Sequence, residues 1–352
     1  MSPPSDAEES ASPEASAVLI DVTRGPALES RHRGAAAVVD GRGKIVAAWG
    51  DVERAVFPRS AIKPLQALVV IECGAADAFK LGDVELALAS ASHSGEPKHV
   101  DAVTAWLGRI GLGIADLECG AHAPYAAAAA EALMRAGRKP TPAHNNCSGK
   151  HAGMLSAARH KGEPVGGYIS FDHPAQARWM KTVGEMCGVE LGRAPRATDG
   201  CSIPTLAIPL RAIAHGMARL ATQQGLDAER SAAAKRVLAA VAKRPDMVSG
   251  TGRFATVVME ATQGRILLKG GAEGVYCAAL PGLGLGVALK IDDGAARASE
   301  VAIAAILRRL GALDDASWRA LAPVCRPTLT NWNGIEVGRI RAGPGWLDES
   351  AQ

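Results

Sequence analysis

Apolar and polar positions alternate along this chain in three distinct textures. From residue 17 short apolar runs, AVLIDV, AAAVVD and IVAAWG, are separated by polar residues and by Gly41-Arg42-Gly43-Lys44, which predicts β-strands joined by a glycine-bearing hairpin. Over 60–262 the spacing changes. Ala, Leu and Met recur at three- and four-residue steps in AIKPLQALVVIEC, KHVDAVTAWLGRIG, KHAGMLSAARH, PAQARWMKTVGEMC, LAIPLRAIAHGMARLA and ERSAAAKRVLAAVA, which predicts helices. Strand texture returns in GRILLKGG, GVYCAAL and GLGLGVALKID, followed by a helix over 295–310 and a last strand in GIEVGRIRA.

Strands at both ends with helices between them predict an α+β fold: an antiparallel sheet from both chain ends with a helical layer packed on it. Neither a fixed-period repeat nor a Pro or Gly/Ser linker divides the body, so 17–345 reads as a single domain. The leading MSPPSDAEESASPEAS has almost nothing to bury, and 1–16 is expected to be a disordered tail, with 346–352 a flexible end.

Composition narrows the function. With 48% apolar and 21% charged residues the chain fits a soluble globular protein, and a net charge of +3 spread along its length offers no footprint for nucleic acid or an anionic membrane. Nothing approaches the roughly 18 unbroken apolar residues of a membrane span, and the first residues lack a secretory signal, so a cytoplasmic location is expected. Seven cysteines, odd and sparse, suggest reduced thiols rather than a disulfide framework.

Four constellations could carry chemistry. Ser60 and Lys63 form an S-x-x-K pair at the start of the first long helical pattern, where a spacing of three lets the amine reach the hydroxyl and act as its base. Chance alone gives about 0.65 such matches in a chain like this, so a single hit is weak, and a helix-capping Ser with a solvated Lys is the bland alternative. Ser90, Ser92, His93 and Ser94 gather at a turn, with Ser94 well placed to cap the following helix. Lys269-Gly270-Gly271-Ala272 ends a strand, where glycines allow close approach of a ligand. In chain order these three match the motifs of penicillin-binding proteins and class A β-lactamases, but S-D-N is missing and K-G-G replaces K-T-G, so a β-lactam substrate is not implied. Lastly, Cys147 and Cys201, each near Lys, His or Asp, could be zinc ligands, a catalytic thiol or structural cysteines. His93, His122, His173 and His215 read as core or surface residues.

The segments RSAIKP, SASHSGE, CGAHAP, HNNCSGKHAGML, DHPAQ, TDGCSIPT and KGGAEGV together resemble the rhizobial-type, class 3 L-asparaginase family, also called asparaginase II or thermolabile, over nearly the whole body. The resemblance implies hydrolysis of L-asparagine to L-aspartate and ammonia, a fold similar to the serine β-lactamases and glutaminases, and a homodimer. It makes Ser60 the nucleophile beside Lys63, with Ser92 and Lys269 a second Ser–Lys pair, and makes Cys147, Lys150 and Cys201 ligands of a zinc ion completed by water. A Lys ligand must be neutral, which requires the metal to lower its pKa.

For the substrate's own charges we assign Arg59 or His151 to the α-carboxylate and Asp199 to the α-ammonium, and for the oxyanion the backbone N–H groups at Ser60 and near Ala272. Rival readings are another Ser–Lys amidohydrolase, such as a glutaminase or a β-lactam-recognising protein, and a non-catalytic zinc- or amino-acid-binding relative. The presence of all four Ser and Lys residues speaks against the last.

Overall fold

The computed structural model describes residues 16–344. Apart from Ser16, the expected 1–16 tail lies outside the described residues, as does the expected flexible end at 346–352. The main sheet takes β1 (Ala17–Arg24), β2 (Ala27–Asp40) and β3 (Ile45–Trp49) from the start of the chain. From its end come β4 (Leu267–Gly270), β5 (Val275–Leu280), β6 (Leu285–Ile291), β7 (Thr328–Thr330) and β8 (Glu336–Ala342). The order is β7-β8-β1-β2-β6-β5-β4, with β3 also pairing β2, and every pairing is antiparallel. The sheet is thus assembled from both chain ends, as the texture predicts.

Local chemistry explains the joints. Between β2 and β3 the Asp40 carboxylate accepts the backbone N–H of Arg42 and Lys44, both at 2.9 Å, and Gly43 takes φ +87°, so the expected hairpin forms around an Asx turn. All six residues of β5 are buried, which requires cover on both faces of the sheet. One face is covered by α6 (Leu210–Thr222) and the other by α9 (Ala296–Arg309), each packed on β5 and β6. The α6 backbone lies so close that a Cβ on Gly286 would sit 2.1 Å from the Ala214 carbonyl oxygen, so only glycine fits there.

The helical layer holds α1 (Lys63–Glu72), α2 (Asp83–Ala89), α3 (Pro97–Arg109), α4 (Ser148–Lys161), α5 (Pro174–Cys187), α7 (Ala228–Lys243) and α8 (Phe254–Ala261). α1 is its centre: every residue from Lys63 to Ile71 is buried. α2 and α4 are pressed together, a Cβ on Gly149 falling 2.3 Å from the Leu88 carbonyl oxygen. No helix among the described residues is long and apolar enough to cross a membrane.

Two short strand pairs place strands inside the 60–262 region read as helical, one of them with a partner just before it. Ala55–Val56 pairs with Ile208–Pro209, and Arg196–Thr198 pairs with Pro204–Leu206. The second is a hairpin whose turn is Asp199-Gly200-Cys201-Ser202, where Ser202 takes φ +75° and donates its N–H to the Asp199 carbonyl at 2.8 Å. Helical periodicity misses it because strands of three residues carry no period of their own.

Candidate active site

The chain enters the site at Pro58 and turns sharply. Arg59 holds φ +50°, a left-handed conformation that costs a non-glycine residue about 1–3 kcal/mol. What holds it there is an ion pair between its guanidinium and the Asp199 carboxylate. A single 3₁₀ turn, Arg59–Ile62, then leads into α1. The strand-end loop lies flat against this turn, since a Cβ on Gly271 would meet the Pro58 carbonyl oxygen at 2.7 Å and the Ala61 nitrogen at 3.1 Å. Ser60 is therefore held beside Gly271, and both line one pocket with Ala272.

Ser92 follows α2 on a loop tied at successive residues: its N–H donates to the Val248 carbonyl at 2.9 Å, and that of His93 to the Asn146 carbonyl at 3.2 Å. The buried His93 ring bonds the Ser148 hydroxyl at 2.8 Å and stacks on His99, with ring centroids 4.9 Å apart. This loop corrects one expectation. Ser94 does not cap α3; its hydroxyl donates to the Glu96 carboxylate at 2.6 Å, while the His99 ring accepts the Glu96 N–H.

Two amines converge on Ser92. Lys269 Nζ donates to its Oγ at 2.8 Å and to the Gly270 carbonyl at 2.6 Å. Lys63 Nζ reaches the same Oγ at 3.1 Å, as well as the Ala91 carbonyl at 2.5 Å and Cys147 Sγ at 3.1 Å. Lys63 and Lys269 are 0% and 1% exposed. Burial, and then the charge of Lys63 nearby, push the Lys269 amine well below the usual lysine range.

The expected Lys63–Ser60 hydrogen bond is absent. Ser60 Oγ has no hydrogen-bond partner among the described residues, because the Ala91 carbonyl and Cys147 draw the Lys63 amine beneath the floor of the pocket. Ser60 itself faces the pocket.

Behind the two serines lies a sulfur cluster. Cys147 precedes α4, with its N–H on Asn145 Oδ1 at 2.8 Å, and Cys201 sits in the 199–202 turn. Lys150 Nζ donates to Cys201 Sγ at 2.9 Å, and the Cys147 thiol hydrogen-bonds the Cys201 sulfur. That bond, reinforced against burial by the Lys150 charge, pulls the Cys201 thiol down to about 5. The same bond, with burial, pushes Cys147 up to about 12. Burial works against the Lys150 charge, but the two sulfurs and Asp199 outweigh it and raise its pKa. No group of three or more His, Cys, Asp or Glu gathers as a metal site among the described residues, so a metal held here needs the Lys150 amine as its third protein donor. All seven cysteines are buried and free, in keeping with reduced thiols.

These residues share a pocket of about 460 Å³ lined by Arg59, Ser60, Ser92, Cys147, Asp199, Cys201, Lys269 and Ala272. His151, the alternative to Arg59 for the carboxylate, stands outside this lining at 0% exposure. Its Nδ1 is hydrogen-bonded to the Tyr168 hydroxyl at 2.7 Å, and burial lowers its pKa to about 3. The pocket also includes Tyr276, Phe254, Arg253 and Glu300, which the sequence reading did not single out. The one available signal for Arg253 was its place just after the Ser249-Gly250-Thr251-Gly252 breaker between two helical runs.

The profile of the L-asparaginase II family matches residues 20–342. No curated protein matches the chain in sequence. Among solved structures, a β-lactamase from Mycobacterium bovis is similar over 83% of this chain and 95% of its own, at 15% identity and a TM-score of 0.32.

Proposed function

The chain belongs to the L-asparaginase II family, and from that premise we propose that it is an amidohydrolase converting L-asparagine to L-aspartate and ammonia through a seryl ester on Ser60. The observation that carries this reading is the sharing of one hydroxyl, Ser92 Oγ, by two buried lysine amines beside an unbonded serine that faces the pocket.

Ser60 Oγ attacks the side-chain amide carbon, and its proton passes by way of Ser92 Oγ to a neutral amine, Lys63 or Lys269. Two ammonium groups on one hydroxyl repel each other, which favours one neutral amine, and the depressed Lys269 is the better candidate. The proton then reaches the departing nitrogen, and water cleaves the ester. Backbone N–H groups at Ser60 and Ala272, which line the same pocket, are the oxyanion donors in this reading. Arg59 and Asp199 complement a zwitterion, taking its carboxylate and ammonium in place of one another.

Cys147, Cys201 and Lys150 are the residues that would hold zinc, since the Lys150 amine already bonds Cys201 Sγ and the Cys147 sulfur lies beside that pair. When bound, the ion neutralises thiolate charge as a Lewis acid and fixes the ligand-bearing turn. The family resemblance extends the proposal to a cytoplasmic homodimer, which sedimentation and cell fractionation check.

The test is release of aspartate and ammonia by the purified protein, with the trapped ester mapped by mass spectrometry. Ser60→Ala is expected to lower kcat on the order of 10⁶-fold, comparable to loss of the nucleophile in a serine protease. Zinc near one equivalent by elemental analysis, lost in Cys201→Ser, is expected alongside. Glutamine turnover separates the glutaminase alternative, because one methylene alone is worth only about 1–3 kcal/mol. A second reading has its own support: both amines bond Ser92 rather than Ser60. An ester found on the Ser92 peptide would replace the Ser60 assignment with that one.

A further inference from the structure

Ammonia is a small leaving group, yet the pocket is also lined by side chains that no step above uses. Tyr276 pairs with Gly270 across β4 and β5, and its ring lies 3.0 Å from where a Cβ on Gly270 would be, so it stands directly against the Lys269–Gly270 backbone. On its far side the Phe254 ring meets it edge-on, with centroids 5.7 Å apart. The same pocket is lined by Arg253, at the entry to α8, and by Glu300, on α9.

These two charges are unspent. The exposed Arg253 guanidinium donates no hydrogen bond, Glu300 accepts none, and neither forms an ion pair within 4.0 Å among the described residues. Each senses the other only through space, and burial raises the Glu300 carboxyl with Arg253 opposing. Asparagine has about nine heavy atoms, and even at a water's share of ~30 Å³ apiece these fill on the order of 270 Å³. A pocket of about 460 Å³ has room for more than that substrate.

We infer that these side chains form a leaving-group subsite, and that the enzyme also cleaves β-aspartyl amides whose nitrogen belongs to an α-amino acid, that is, β-aspartyl dipeptides. Arg253 takes the carboxylate of the leaving amino acid, and the side chain of that residue lies along Phe254 and Tyr276 toward Glu300. Glu300 then selects against acidic leaving residues and in favour of basic ones. The inference rests on the seryl-ester mechanism proposed above. In the added reaction a C–O bond forms between Ser60 Oγ and the β-carbonyl carbon and the C–N bond breaks. The serine proton is carried to the departing nitrogen, and water then hydrolyses the ester, so the products are aspartate and a free amino acid.

The experiment compares kcat/KM for asparagine, β-aspartyl-lysine and β-aspartyl-glutamate. Expected results are β-aspartyl-lysine within about 100-fold of asparagine, β-aspartyl-glutamate at least about tenfold poorer than β-aspartyl-lysine, and Arg253→Gln lowering dipeptide turnover at least about tenfold more than asparagine turnover. Glu300→Gln should level the lysine and glutamate dipeptides. Turnover of asparagine with no cleavage of either dipeptide overturns the subsite and leaves the asparaginase standing. Equal losses for asparagine and dipeptide in Arg253→Gln overturn it too, assigning that arginine to asparagine's own carboxylate. If the unmodified protein cleaves neither, the hydrolase reading falls and takes the subsite with it.

Discussion

Lys269 shows how a single side chain trades stability for chemistry. Burial, and then Lys63, depress its pKa in the fold, whereas in the unfolded chain it titrates as an ordinary lysine. Between those two pKa values the unfolded state binds more protons than the folded one, so this residue's contribution to stability rises with pH across that window. Lys269→Met removes the term while roughly preserving volume. The stability of the natural protein relative to Lys269→Met is therefore expected to increase from pH 7 to pH 10, as measured by thermal unfolding at each pH. In the natural protein kcat/KM is expected to rise with pH through the lower of the two values, as the amine becomes available as a base. A stability difference that stays flat would mean that Lys269 titrates normally. The residue identities here were legible in the sequence, and their partners were not. Nothing in S-x-x-K says that the Lys63 amine will be claimed by the Ala91 carbonyl and Cys147 instead of Ser60, because those contacts join segments 28 and 84 residues away.

At the scale of elements, the site depends on how closely α2 and α4 approach. α2 leads to Ser92 and α4 begins just after Cys147, so the Gly149–Leu88 contact sets the distance from which Lys63 reaches both. Gly149→Ala puts a methyl 2.3 Å from a backbone oxygen that has no rotamer to escape into. The expected cost is about 1–3 kcal/mol of overpacking, with a parallel fall in kcat. Gly108, near the end of α3, supplies the control: a Cβ there meets nothing within 4 Å, so Gly108→Ala should stabilise by about 0.5–1 kcal/mol through helix propensity alone. Urea midpoints for both variants check the pair, and equal shifts would show that close packing is not what Gly149 provides. Element type was readable wherever a run was long enough to show its period, as in α4 and α6. It was not readable for the Arg196–Thr198 hairpin, which carries Asp199 and Cys201 and so half of the sulfur cluster. Its strands are too short for a pattern, and turn residues alone do not reveal a strand pair.

On the scale of the whole molecule, segregated textures sufficed to predict an antiparallel sheet from both chain ends, because that order leaves few other ways to bury the strands. Pocket membership was less accessible. Arg59, Ser92, Cys201, Lys269 and Glu300 come from separate elements, and only tertiary packing brings them together. The sheet that supports them closes late in the sequence, when β8 pairs with β1 through Ile20↔Ala342, Asp21↔Arg341 and Val22↔Ile340. Ile340 and Ala342 are buried in that seam, and α9 packs on both strands. All the residues given a part in the chemistry precede this closure. A chain ended after Cys325 thus keeps every one of them but gives β1 a bare edge and uncovers Ile20 and Val22, which the intact sheet buries. Such a chain is expected to lose turnover by association and loss of cooperative unfolding, visible in gel filtration and urea titration, with no chemical group removed from the site. A monomeric truncated chain with undiminished kcat would show that the pocket is held by the helical layer alone and that the second chain end is dispensable to it.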